Sequence, residues 1–202
     1  MKKYELTDET IKIGGHTLHR IKALVDFGNV KAGDIGGWIE KEENLSQDGD
    51  AWVYENALVF GNAQVYDNSL IYDSALVYGS ARVSGNARVY GDAWVSGNAR
   101  VSGDARVYDN AHYLAIGPIG SRDDTVTFTR EKNGGIYVAV GCFLGTLDEF
   151  RKKVEETHGD NAHAEAYLLA AKLAEVRIDT TPIDDEAKWG NFYTASCPGI
   201  SL

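Results

Sequence analysis

Two Arg-x-Tyr pairs, Arg88 with Tyr90 and Arg106 with Tyr108, recur eighteen residues apart, and Arg82 and Arg100 recur at the same interval. A guanidinium fork suits a phosphate and an aromatic face suits a base, so each pair offers what a nucleotide or other phosphorylated planar ligand needs. Between Gly79 and Tyr108 the four arginines meet only Asp92 and Asp104, although the 202-residue chain carries a formal net charge of −10. This locally basic stretch points to a small anionic ligand. The overall charge argues against general nucleic-acid binding, which depends on neutralising many phosphates. In the plainer reading the tyrosines stack on one another, and the arginines are solvated or pair with aspartates of a neighbouring coil or subunit.

Two further groups have chemistry-bearing residue types. His158, Asp160 and His163 are spaced like metal ligands, but they lack a third strong ligand at suitable spacing. Asp160 or Asn161 serves equally well as the cap of a helix starting there, so no metal is expected. His112 is a histidine that could act as a general base. No GxxxxGK phosphate loop and no serine nucleophile elbow occur. Cys142 and Cys197 are too few and too far apart for a disulfide framework or a zinc site.

The elements that must position these residues follow from a repeat. From Gly49 to Leu114 a six-residue word recurs eleven times without insertion, from GDAWVY through GNARVY to DNAHYL. The third residue is Ala or Ser, and the fifth is Val, Ile or, in the last word, Tyr. Positions three and five share one side of a short strand, and the two polar or glycine residues that open each word suit a corner. A strand and a corner every six residues predict a mainly β, parallel β-helix. The words resemble the hexapeptide pattern of the left-handed β-helix family, in which three words make one coil, and that resemblance implies about 3.7 coils, roughly 17 Å tall. Residues eighteen apart then stack. One column is Tyr54, Tyr72, Tyr90 and Tyr108, beside Trp52, Leu70, Arg88 and Arg106. A second face carries Leu58, Leu76, Trp94 and His112, and the third carries Gln64, Arg82 and Arg100. Trp52, Leu58, Leu70, Leu76 and Trp94 form an outward apolar group expected to make subunit contacts.

The flanks read as caps for the open ends of this rod. Residues 1–48 form an N-terminal β cap with a hairpin turn at Gly14-Gly15. Residues 115–178 form a ββαα unit. Its first helix opens on a Thr146/Glu149 capping box, and its second carries Ala166, Leu169, Ala170 and Leu173 on one face. Residues 179–202 are an irregular tail that Trp189, Phe192 and Tyr193 could dock. No apolar run approaches a membrane span and the N-terminus carries no secretory signal, so a cytoplasmic location is expected.

The stretches KYELTDETI, VKAGDIGGWIEKEE, the GNARV words, GCFLGTLDEF and THGDNAH resemble a group of bacteriophage and prophage hexapeptide-repeat proteins, commonly described as hexapeptide transferases. The resemblance implies a left-handed β-helix and a homotrimer of parallel prisms, acting in the host cell cytoplasm. Acyltransferases on this fold place a histidine base at a subunit boundary, with acyl-coenzyme A along the prism. On this chain that implies His112, with acetyl-CoA as cofactor, although the words run without the extruded loop such enzymes often carry. The favoured expectation is instead a non-catalytic protein without a cofactor. It would sequester a nucleotide-like anion, such as a host immune signal, between Arg82, Arg88, Tyr90, Arg100, Arg106 and Tyr108. A module that docks a host or virion protein is the third expectation.

Overall fold

The computed structural model describes residues 1–181. Trp189, Phe192, Tyr193 and Cys197 lie outside them. The chain opens with a hairpin of β1 (Tyr4–Ile13) and β2 (His16–Ala23), turned at Gly14-Gly15, and continues to β3 (Ile35–Ile39). Ten two-residue strands follow: β4 (Trp52–Val53), β5 (Leu58–Val59), β6 (Gln64–Val65), β7 (Leu70–Ile71), β8 (Leu76–Val77), β9 (Arg82–Val83), β10 (Arg88–Val89), β11 (Trp94–Val95), β12 (Arg100–Val101) and β13 (Arg106–Val107).

They pair in parallel at the eighteen-residue step, Leu70 with Arg88 with Arg106, Gln64 with Arg82 with Arg100, and Leu58 with Leu76 with Trp94. Positions three and five of these hexads are buried from Ala51 to Val107, which fills a narrow core with Ala and Val. Ser69 is the polar exception. Its hydroxyl donates to the carbonyls of Tyr66 at 2.7 Å and Val83 at 3.1 Å, so the buried group is satisfied. Corners need positive φ. At Gly49, with φ +70°, a Cβ would lie 2.4 Å from the Asp67 carbonyl oxygen, so only glycine fits.

The solenoid begins and ends elsewhere than the repeat suggests. Trp38 and Ile39 pair in parallel with Leu58 and Val59, and Leu45 bridges Val65. The N-terminal segment therefore supplies the first coil at a step of twenty residues, and the parallel solenoid makes about four turns. The eleventh word, DNAHYL, leaves the rod. Asp109 caps a 3-10 turn at Asn110–His112 by accepting from the Ala111 N–H at 2.8 Å. Tyr113 stands where every other word has Val or Ile, and a tyrosine is too large for that core. It enters β14 (Tyr113–Ile119) instead, with its hydroxyl donating to the Trp94 carbonyl at 2.5 Å.

β14 belongs to an antiparallel sheet with β15 (Asp124–Arg130), β16 (Ile136–Val140) and β17 (Phe143–Thr146). The expected hairpin thus gains a strand on each side. α1 (Leu147–His158) opens on the Thr146/Glu149 capping box, and α2 (Ala162–Arg177) opens on Asn161, whose side chain accepts from the His163 and Ala164 N–H groups. α2 is rotated from the expected orientation. Ala164, Tyr167, Ala170, Ala171 and Ala174 face the core, while Leu169 and Leu173 face out. Small residues let the helix lie close to the sheet, and the Tyr167 hydroxyl points to Gly120, where a Cβ would sit only 1.9 Å away.

Candidate functional site

The columns deliver the arginines as the period requires, but their surroundings differ. Arg88 and Arg106 line a groove of about 390 Å³ that, among the described residues, the N-terminal cap, the solenoid and the C-terminal sheet frame. Gly28 and Asn29 come from the N-terminal cap. The solenoid supplies Asp50, Tyr54, Asn68, Leu70, Asn86 and Asp104 beside the two arginines, and Lys132 comes from the C-terminal sheet. Lys132 is placed there because the β15–β16 turn closes over the last coil: its N–H donates to the Asp104 carbonyl at 3.2 Å, and Ala105 bridges Glu131.

The second position of every third hexad, one per coil, forms a polar ladder along this groove. Asn68 donates to Asn86 at 3.4 Å, and Asn86 donates to Asp104 at 3.1 Å. Arg88 is half-buried. Arg106 is only 4% exposed, and its Nη1 donates to the carbonyls of Asn86, Asp104 and Ala105. It is thus fixed in the wall, and its fork is not laid open to solvent as the sequence reading expects. Among the described residues, three cations, Arg88, Arg106 and Lys132, line the groove beside the carboxylates of Asp50 and Asp104. That suits an anion with hydrogen-bonding groups for the amides.

The tyrosines are not an open platform. Tyr72 and Tyr90 are buried, stacked at 4.7 Å and 8°, and Tyr108 follows at 5.4 Å and 36°. Here the like-with-like stacking reading holds. The column ends on His112, whose ring lies 3.9 Å from that of Tyr108, and the Arg130 guanidinium sits 5.9 Å from the Tyr108 ring. His112 and Arg130 are both buried, and among the described residues neither His112 Nδ1 nor Arg130 Nε and Nη1 has a hydrogen-bond partner. Burial first, and then the charge of Arg130, holds His112 below the ordinary histidine range, against the pull of Asp109 and Asp179. His112 is therefore a neutral imidazole enclosed behind Tyr108. The sequence reading missed Arg130. The signal available was parity, since Arg130 continues the inward series of Val126 and Phe128.

The remaining predicted residues disperse. Arg82 stays exposed on the third face, and Arg100 is held by the cap, its guanidinium donating to the Gly141 carbonyl and its N–H to Thr127 Oγ1. Neither lines the groove of Arg88. Trp52 is not outward. It is buried beneath the N-terminal hairpin, with ring centroids 5.3 Å from Phe27 and 6.1 Å from Tyr4. Leu58, Leu70 and Leu76 are half-buried, whereas Trp94 is 52% exposed. The rings of His158 and His163 lie 5.9 Å apart, and no group of three metal-ligating side chains assembles among the described residues.

Comparison with known proteins agrees with this architecture. Residues 63–79, 81–97, 93–109 and 99–112 match the family described as YdcK beta solenoid repeat. A 63-residue stretch is 36% identical to the "Uncharacterized acetyltransferase YdcK" of Escherichia coli strain K12, and it covers 27% of this chain and 19% of that protein. The match spans about a fifth of the relative's length. With the parallel solenoid, these likenesses define a hexapeptide-repeat β-helix protein. Among the described residues no helix is long and apolar enough to cross a membrane.

Proposed function

We propose that this protein binds, without catalysis, a small anionic ligand of nucleotide type in the groove of Arg88, Arg106 and Lys132. The observation that carries this reading is the gathering of Arg88, Arg106 and Lys132 beside an amide ladder on an acidic chain. Guanidinium groups suit phosphate, Lys132 adds an exposed ammonium, and the amides of Asn68 and Asn86 line the same groove for a base or sugar. Stoichiometric binding suffices to withdraw a signalling nucleotide, which in a phage setting is a host immune signal. The working assembly is a homotrimer of parallel solenoids in the cytoplasm, and Arg82 and Arg100 of a neighbouring subunit would then border the groove.

Thermal shift and calorimetry against cyclic and linear nucleotides test the reading. At least one nucleotide is expected to raise the melting temperature, and Arg88→Ala and Lys132→Ala are expected to weaken that response about tenfold or more in Kd. No stabilisation by any member of the panel, or an unchanged response in both variants, overturns it.

The acetyltransferase named among the relatives favours a second reading, acyl transfer from acetyl-CoA with His112 as base. The enclosure of His112 behind Tyr108 weighs against it, because a general base must reach the acceptor's proton. Protection by acetyl-CoA, with turnover abolished in His112→Ala, would make this reading the better one.

A further inference from the structure

The outward face of α2 carries Leu168, Leu169, Leu173 and Val176, which are 42%, 64%, 50% and 77% exposed. The opposite face is already buried against the C-terminal sheet through Ala164, Tyr167, Ala171 and Ala174. A helix that is apolar on both sides requires a second partner. The series Ala162, Ala166, Leu169, Leu173 and Val176, exposed except for the half-buried Ala166, steps by four, three, four and three residues, the spacing of a coiled-coil seam, so the complementary surface is another helix with the same repeat.

The charges beside the seam select the partner and its direction. Glu165 and Lys172 flank it on one side, and Arg177 lies on the other. Antiparallel packing of two copies sets equal flanks against each other, so that Glu165 of each meets the partner subunit's Lys172, twice by symmetry. Parallel packing would oppose Lys172 to the partner subunit's Arg177. We propose that α2 is an isologous contact in which two copies of this chain associate through antiparallel α2 helices along Leu169, Leu173 and Val176. This contact is separate from any made by the solenoid faces, so it doubles whatever assembly the solenoids form, and it does not depend on the ligand reading.

Sedimentation equilibrium of the full chain tests it. Leu169→Glu with Leu173→Glu is expected to halve the particle mass while leaving the circular dichroism spectrum unchanged, because both positions are exposed. Glu165→Lys and Lys172→Glu are each expected to weaken association by about fivefold. The combined Glu165→Lys, Lys172→Glu variant is expected to restore it. A wild-type mass equal to that of the double glutamate variant overturns the proposal. So does failure of the charge exchange to restore what the single changes lose.

Discussion

The imidazole of His112 lies against the phenol ring of Tyr108, 3.9 Å between centroids and inclined by 40°, at the end of the stack of Tyr72, Tyr90 and Tyr108. This contact makes His112 the terminal member of a stack, enclosed and lowered in basicity.

A pH dependence follows. The folded state holds His112 below the ordinary histidine value, so the unfolded chain binds the proton more readily, and stability falls as pH drops through about 6.5. His112→Phe keeps a ring in the stack and removes the proton site. Thermal melts at pH 7.5 and 5.5 are expected to show a smaller acid loss in His112→Phe than in the wild type. Equal losses would mean that His112 does not titrate in this way.

Trp52 is the anchor of the N-terminal cap, not a subunit contact. Trp52→Ala is expected to cost about 3–5 kcal/mol, in the range for deletion of a large buried aromatic side chain. Hydrogen exchange should become faster first in β1 and β2, which lose the surface they rest on. A loss below about 1 kcal/mol would show that the hairpin holds without it.

The corner glycines are not equivalent. At Gly97, with φ +65°, a Cβ meets nothing within 4 Å, whereas at Gly49 it would strike the Asp67 carbonyl oxygen. Gly97→Ala is expected to cost about 1–2 kcal/mol for the left-handed backbone alone, and Gly49→Ala more, because the next coil must shift. Gly97→Asn should cost less than Gly97→Ala, since the region that Asp67 and Asp73 already occupy tolerates short polar side chains. Denaturant titration of the three variants ranks them.

Lys3 is buried with its ammonium donating to the carbonyls of Gly49 and Ala51 at 3.2 and 3.0 Å. Burial lowers its pKa to about 8, against the opposing effect of Asp50 and Asp48. The unfolded chain then binds more protons between about pH 8 and the ordinary lysine value, so this group makes stability rise with pH across that window. Lys3→Met is expected to flatten the rise in melts from pH 7.5 to 10. A wild-type profile identical to that of the variant would refute this.

The middle of the rod was legible because six residues per strand and three strands per coil leave no freedom in register. Arg88 over Arg106 and Tyr72 over Tyr90 follow from counting alone. The ends were not legible for the same reason. A twenty-residue step brings Leu45 onto Val65 without a hexad to announce it, and Tyr113 keeps the hexad's place in the sequence but has the wrong volume for its place in the core. The site was legible in its columns and not in its walls. The period says that Arg106 points outward, but not that Asn86, Asp104 and Ala105 turn their carbonyls onto it. Nor does a hexad contain Lys132 or Arg130, which arrive from a sheet folded across the end.

Because Asn29 and Lys132 border the same groove from opposite ends of the rod, its composition depends on how many strands separate them. Gain or loss of eighteen residues would lengthen or shorten the cleft by about one strand spacing, some 4.8 Å, and keep both borders in place. Gain or loss of six would swing the distal sheet by about 120° onto another side of the triangle and remove Lys132 altogether. Length variation in descendants of this sequence is therefore expected in whole coils, which makes the cleft adjustable to ligands of different reach without redesign of either end.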